Sequence, residues 1–212
     1  MSRLGRDYYD RDTLEVAPAL LGCTLVHDGR DGLTSGRIVE VEVYQGEDDP
    51  ACHAAAGRTS RTEPLYGRPG HAYIYLIYGM YYCLNAVTRA EGLPSAVLIR
   101  ALEPLEGLDR MRGRRTARAR RRTPVVDRDL ANGPGKLCDA LGLTLEHNRL
   151  DLTGDTLWIE AGTPPAEIAW SPRVGIKVGT ERVWRCFDPG SPYVSRTRLN
   201  HEAVVRPSPV MS

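Results

Sequence analysis

Arg37-Ile38-Val39-Glu40-Val41-Glu42-Val43-Tyr44 alternates between apolar and polar positions. Successive side chains of a β-strand point to opposite faces of the sheet. Val39, Val41 and Val43 therefore fall on one face, and Ile38, Glu40, Glu42 and Tyr44 on the other. The valine face is expected to be buried. The second face then carries two carboxylates and a tyrosine side by side.

Other elements read outward from this strand. Asp12-Thr13-Leu14-Glu15 has capping-box spacing and opens a short helix that Gly22 stops. Thr24 to His27 reads as a strand, followed by a turn at Gly29 to Gly32. Residues 45–70 are rich in turn formers and are expected to be largely loop. His71 to Val87 reads as a hairpin, with Tyr78-Gly79-Met80 at its middle. Ser95 to Leu102 reads as a strand and Glu103 to Arg112 as a helix. A second short helix follows Asn132-Gly133-Pro134-Gly135 and ends at Gly142. Asp155 to Ala161 and Val174 to Val178 read as strands. No regular alternation of strand and helix runs through the chain. The expectation is an α+β fold: one domain over residues 1–206, a mostly antiparallel sheet, short helices around it, and a frayed tail over 207–212.

Composition sets the class. The chain has 212 residues, and a chain of this size buries roughly 70% of the surface its unfolded form exposes. Net charge is +1, yet eight arginines lie between Arg110 and Arg122 with no acid among them. A neutral average can hide one basic face. That run is expected to be exposed and mobile, and to touch phosphates. The five cysteines form no C-x-x-C pair, which fits buried free thiols in a reducing compartment. No apolar run reaches about 18 residues, so no membrane span is expected; the expected location is cytosol or nucleoid.

Glu42 is the first candidate for chemistry. An arbitrary strand glutamate is a half-exposed carboxylate paired with an arginine. Beside Tyr44, however, Glu42 has an aromatic wall, a setting for a general base. His53 follows a turn-rich loop and can hydrogen-bond a base edge as a neutral imidazole. Cys52-His53 has no second ligand pair at metal-binding spacing, so zinc is rejected. Tyr78 beside Gly79 puts a large ring at a hairpin tip, where a wedge can enter DNA and hold the gap left by an extruded base. Unstacking a base costs a few kcal/mol, and stacking it on an aromatic side chain returns about 1–3 kcal/mol. Arg100, on the same strand face as Leu98, is either a surface ion-pair partner or a group that orients Glu42, water or phosphate. Gly133-Pro134-Gly135-Lys136 is either a plain helix start or a phosphate cradle, with Lys136 as the DNA contact.

Longer motifs carry a resemblance. R-I-V-E-V-E-V-Y-Q-G (37–46), A-C-H (51–53), P-G-H-A-Y-I-Y-L-I-Y-G-M-Y-Y-C-L-N (69–85) and V-L-I-R-A-L-E-P-L-E-G (97–107) closely resemble the alkyladenine (3-methyladenine) DNA glycosylase family. The likeness continues through N-G-P-G-K-L-C (132–138), R-V-G-I (173–176) and G-S-P-Y-V-S (190–195), while 54–66 and 113–123 match poorly. The chain is similar to compact bacterial forms, without the N-terminal extension of mammalian members. The resemblance implies a curved antiparallel sheet with a protruding, DNA-intercalating hairpin. It implies excision of alkylated and deaminated purines from double-stranded DNA, among them 3-methyladenine, 7-methylguanine, hypoxanthine and ethenoadenine.

By motif, the resemblance makes Glu42 the general base and has Arg100 and the Val174 carbonyl hold the water. Tyr44, His53 and Tyr75 form the pocket, with Tyr44 and Tyr75 sandwiching the base. Asn85 and Leu98 lie beside it, where Asn85 can exclude purines bearing an exocyclic amino group, and the Ala51 carbonyl contacts the base. Tyr78 intercalates with Met80 alongside, and Arg115 meets the DNA backbone.

Strand cleavage would need an amine nucleophile forming a Schiff base. The two lysines, Lys136 and Lys177, fall in no catalytic motif, so a monofunctional enzyme is expected. The resemblance implies no metal or organic cofactor, and a monomer is expected. Two other readings stay open: a non-catalytic module that recognises distorted DNA, which has no need of Glu42, and a hydrolase of free nucleosides or small glycosides, which leaves Tyr78 and the arginine run unexplained.

Overall fold

The computed structural model describes residues 2–119, 123 and 125–208. Among them lie nine strands in one sheet: β1 (Thr24–Gly29), β2 (Gly32–Gln45), β3 (Ala72–Ile77), β4 (Tyr81–Val87), β5 (Ser95–Glu106), β6 (Leu157–Glu160), β7 (Glu167–Ser171), β8 (Arg185–Phe187) and β9 (Val204–Pro207). The main order is β3-β4-β5-β2-β8-β7-β9, with β1 pairing both β2 and β6. Every pairing is antiparallel. This is the α+β architecture expected from the pattern. Four short helices pack around it: α1 (Arg6–Tyr9), α2 (Thr13–Leu20), α3 (Leu108–Arg118) and α4 (Pro134–Leu141). Asp12 caps α2 by accepting from the Leu14 amide, and Gly142 closes α4 in the left-handed region at φ +73. None of the described helices is long and apolar enough to cross a membrane.

Strand β2 is the spine, with β5 along one edge and β1 then β8 along the other. Its register against β5 shifts three times: between Ser35 and Gly36 near its start, and, closer to the site, between Ile38 and Glu40 and between Glu40 and Val41. Val39 is the extra residue on β2, and Arg100 is the extra residue on β5. These last two bulges cancel, so Glu42 still faces Leu98. They also revise the expected faces. Ile38, Val41 and Val43 share the main core, whereas Val39 packs with Ala101, Ala169, Phe187 and Val194. A bulge inserts one residue and re-aims the side chains beyond it, which strict alternation cannot foresee. Glu40 and Glu42 are both fully buried, so neither face of β2 is a solvent face here.

Three further expectations are corrected. The segment from Glu103 is not helical at first: β5 continues to Glu106, its Glu103 facing and ion-pairing Arg37, and the helix begins only after Gly107 at φ +73. The arginine run is not simply an exposed, mobile stretch. As far as Arg118 it is helix α3, with Arg112 on Asp109 and Asp127, Arg114 on Asp31, and buried Arg115 on Asp139; Arg120 to Arg122 lie outside the described residues. Val174 to Val178 form no strand, because Gly175 (φ +79) and Gly179 (φ +63) turn the chain away from extended geometry. At the C-terminal end, Pro207 pairs with Glu167 and the Ser208 amide donates to the Ala166 carbonyl. The expected tail is thus held at its first two residues, and the rest of it lies outside the described residues.

Candidate active site

Register assembles the site. Tyr73 faces Asn85, Asn85 faces Leu98, Leu98 faces Glu42, and Glu42 faces Arg185. Residues paired directly across strands point to the same face, so five strands present one row of side chains. Above it opens a cavity of about 560 Å³ lined by Tyr44, His53, Tyr75, Asn85, Leu98 and Arg100, with Ala51, Tyr78, Arg115, Lys136 and Val174 also on its walls. Aromatic walls with a few polar groups are the usual make-up of a ligand pocket. Of the expected site residues, Glu42 and Met80 do not line it. Glu42 is buried behind three residues that do.

Those three hold the carboxylate. The Val174 amide donates to Glu42 Oε1 at 2.6 Å, and the Tyr44 hydroxyl donates to Oε2 at 2.9 Å. Arg100 Nη1 lies 3.3 Å from Oε1. Burial opposes the charge on Arg100, but Glu42 and Glu40 together hold its guanidinium more firmly protonated. Burial and the neighbouring Glu42 push the Tyr44 phenol well above its ordinary range, so it stays a donor. Val174 thus meets Glu42 through its amide, a contact distinct from the water-holding role expected of its carbonyl.

The cavity walls are rigidly braced. His53 Nδ1 and the Tyr73 hydroxyl are 2.9 Å apart, and the His53 ring meets Tyr75 edge to face at 4.5 Å. Burial, and then the Arg61 charge, lowers the proton affinity of His53, which favours neutral imidazole. Asn85 donates from Nδ2 to the Tyr73 carbonyl at 3.0 Å. Behind Tyr44 lies a group that sequence reasoning missed. Arg173, fully buried, makes a two-pronged ion pair with Asp49 at 2.5 and 2.8 Å, donates to the Val43 carbonyl, and stacks 4.7 Å from the Tyr44 ring centroid. R-V-G-I had flagged its segment, but nothing in the local pattern joins it to Asp49.

At the hairpin tip Tyr78 has φ +53 and Gly79 φ +66, and the Met80 amide donates to the Ile77 carbonyl. Positive φ at both central residues is the two-residue turn whose twist suits a hairpin. Tyr78 is 78% exposed and Met80 50%. Below the tip, Gly135 of α4 packs against Tyr81, where an added Cβ would come within 2.9 Å of that ring. Lys136 donates to Asn132 Oδ1 at 2.7 Å. Arg118 donates to the Met80 carbonyl, tying α3 to the tip.

The chain carrying this buried carboxylate, aromatic cavity and exposed hairpin tyrosine has close relatives in sequence. Residues 7–192 match the model of methylpurine-DNA glycosylase. The chain belongs to the methylpurine-DNA glycosylase family. A protein of Methanocella arvoryzae, provisionally named a 3-methyladenine DNA glycosylase, is 48% identical over 92% of this chain and 97% of its own length. Proteins with the same provisional name from Clostridium acetobutylicum (48% identical, 91% of this chain, 97% of its own) and Chlorobaculum tepidum (45%, 93% and 93%) are comparably similar. Membership in the methylpurine-DNA glycosylase family makes this chain a DNA-repair hydrolase of the N-glycosidic bond.

Proposed function

We propose that the protein excises alkylated and deaminated purines from duplex DNA by flipping the nucleotide into the cavity, where Glu42 activates the attacking water. The observation that carries this reading is the placement of Glu42: fully buried, fixed by Val174 and Tyr44, and set beside Arg100 at the cavity wall. Each carboxylate oxygen has two lone pairs, so Oε2, which accepts from Tyr44, retains one for a water admitted between Tyr44, Arg100 and Val174. N-glycosidic cleavage passes through an oxocarbenium-like sugar. A negative carboxylate favours that charge and takes the proton of the water as the bond to the sugar forms. A general base is worth roughly 10²–10⁴-fold.

Tyr44 and Tyr75 are the faces between which the base stacks, and His53 and the Ala51 carbonyl meet its edge. Asn85, pinned to the Tyr73 carbonyl, stands where an exocyclic amino group would collide. Tyr78, with Met80 beside it, fills the gap in the stack, and Arg115 and Lys136 face the DNA backbone. Water is the nucleophile, and the reaction ends at the abasic site. Of the two lysines, Lys136 lines the cavity with its ammonium bonded to Asn132, and Lys177 is exposed outside it.

Glu42→Gln tests the reading. The variant is expected to bind lesion-containing duplex as the wild type does and to lose base release. Wild-type excision by this variant would exclude Glu42 as the base, and borohydride trapping of an enzyme–DNA adduct would exclude a water-only mechanism.

A further inference from the structure

Glu40 is a buried charge for which the hydrolytic step just described has no use. Its Oε1 accepts from Arg100 Nε at 2.8 Å, Arg185 Nε at 2.7 Å and Ser195 Oγ at 2.7 Å, and its Oε2 accepts from the Ser195 amide at 2.7 Å. Arg185 in turn donates to Ser171 Oγ and Asn200 Oδ1, and Asn200 donates to the Ser195 carbonyl. Glu40 and Arg185 are fully buried. Burial alone would raise the Glu40 carboxyl, yet Arg100, Arg185 and Ser195 pull it down to about 2, so it stays ionised.

Arg100 joins this cluster to the site. Its guanidinium is a rigid planar fork, and two of its nitrogens meet carboxylates two residues apart on β2: Nε meets Glu40, and Nη1 meets Glu42. Fixing Nε fixes the direction of Nη1. Arg100 is also the bulged residue of β5, so its aim owes less to the ladder and more to these partners.

We propose that Glu40 is a positioning residue for the hydrolytic step, clamping Arg100 so that its outer nitrogen meets Glu42, with Arg185 and Ser195 holding Glu40 in place. This rests on the reading of Glu42 as the base. Without the Glu40 charge, Arg100 directs its positive charge at Glu42 alone, and the carboxylate becomes a weaker base. The other titratable groups around Glu42 are Tyr44 on its own strand, Tyr75 and Cys83 on the hairpin, Arg173 after β7, and Cys186 on β8.

The test compares wild type, Glu40→Gln, Glu42→Gln and the double variant in single-turnover excision of hypoxanthine from duplex DNA. Binding is measured on the same duplex carrying 2′-fluoro-2′-deoxyinosine, which resists hydrolysis. Glu40→Gln is expected to lower the excision rate about 10- to 100-fold, less than the roughly 10²–10⁴-fold loss of the base itself. Binding should change by less than about twofold, because the wall that meets the flipped base is untouched. The acid limb of its rate profile moves to lower pH. In the Glu42→Gln background the same substitution costs nothing further, because its effect runs only through Glu42. A wild-type rate, a full additional loss on top of Glu42→Gln, or matching losses of rate and binding with an unmoved acid limb would each overturn the proposal.

Should Glu40→Gln fail to fold, Ser195→Ala removes one donor and leaves every charge in place. Its expected loss is about threefold in rate, absent in the Glu42→Gln background, and an unchanged rate overturns the proposal. Wild-type excision by Glu42→Gln would instead defeat the reading of Glu42. An inactive Glu42→Gln beside a fully active Glu40→Gln defeats only the role of Glu40.

Discussion

The amide of Val174 donates to a carboxylate oxygen of Glu42 from 132 residues away in sequence. If Glu42 is the base as proposed, that bond makes the irregular segment after β7 part of the chemistry. Val174→Pro deletes the donor without adding charge. A hydrogen bond to an ionised group is worth about 1.5–3 kcal/mol, so single-turnover excision should fall at least about tenfold while lesion binding holds. An unchanged rate would show that the amide does not fix the carboxylate.

Tyr44 has two separable parts: a ring on the cavity wall and a hydroxyl on Glu42. Tyr44→Phe keeps the first and removes the second. Binding of lesion duplex should be retained and the excision rate should drop about three- to tenfold. A binding loss larger than the rate loss would place the hydroxyl on the base rather than on Glu42.

The hairpin tip sets stability against function. A tyrosine at φ +53 is backbone strain, typically about 1–3 kcal/mol for a non-glycine residue held there. Tyr78→Asn creates Asn-Gly, the pair this turn prefers. Thermal unfolding should shift upward, and excision from duplex should fall because the proposed wedge is gone. A lower melting temperature with intact excision would contradict both halves.

Much of this was legible in the sequence, and the limits have physical causes. The hairpin, the α4 glycine caps and the paired carboxylates follow from local turn chemistry and strand period. The bulges at Val39 and Arg100 do not, because they belong to the pairing of two strands and leave no mark in either one. Arg185, Ser195 and Arg173 were also illegible: their partners Glu40 and Asp49 lie more than a hundred residues away. The arginine run misled because its counter-charges, Asp31, Asp127 and Asp139, come from other parts of the chain.

Acid should weaken the fold in a defined window. Burial lowers the proton affinity of His53 and of His27; for His27 this outweighs the bond its Nδ1–H donates to the Leu141 carbonyl. Both groups bind protons less readily when folded than at the unfolded value of about 6.5. Their contribution is complete above that pH and is lost as pH falls below it toward their folded values, because the unfolded chain then binds more protons. Urea midpoints measured from pH 7.5 to 5 should fall in the wild type and fall less in a His27→Gln, His53→Gln double variant. An equally steep fall in the variant would assign the acid sensitivity elsewhere.

Arg114 of α3 should be a poor reporter of DNA contact. A cation that neutralises one phosphate contributes about 0.9 to the slope of log affinity against log salt. Arg114 is bonded to Asp31 and to the Ala140 carbonyl, so Arg114→Gln should change that slope by much less than 0.9. A full change would mean that DNA displaces the internal partners.

The paired bulges make strand length a hidden requirement. Were Val39 drawn into the ladder, so that β2 alternated strictly from Ile38 to Glu42, Glu42 would turn to the core side with Ile38, and every amino acid needed for the proposed reaction would still be present. Among homologues, insertions and deletions should therefore gather in loops such as 54–66 and avoid the spine. Where one does fall in β2, a matching change should appear near Arg100 in β5, so the two strands would carry a shared record of their descent.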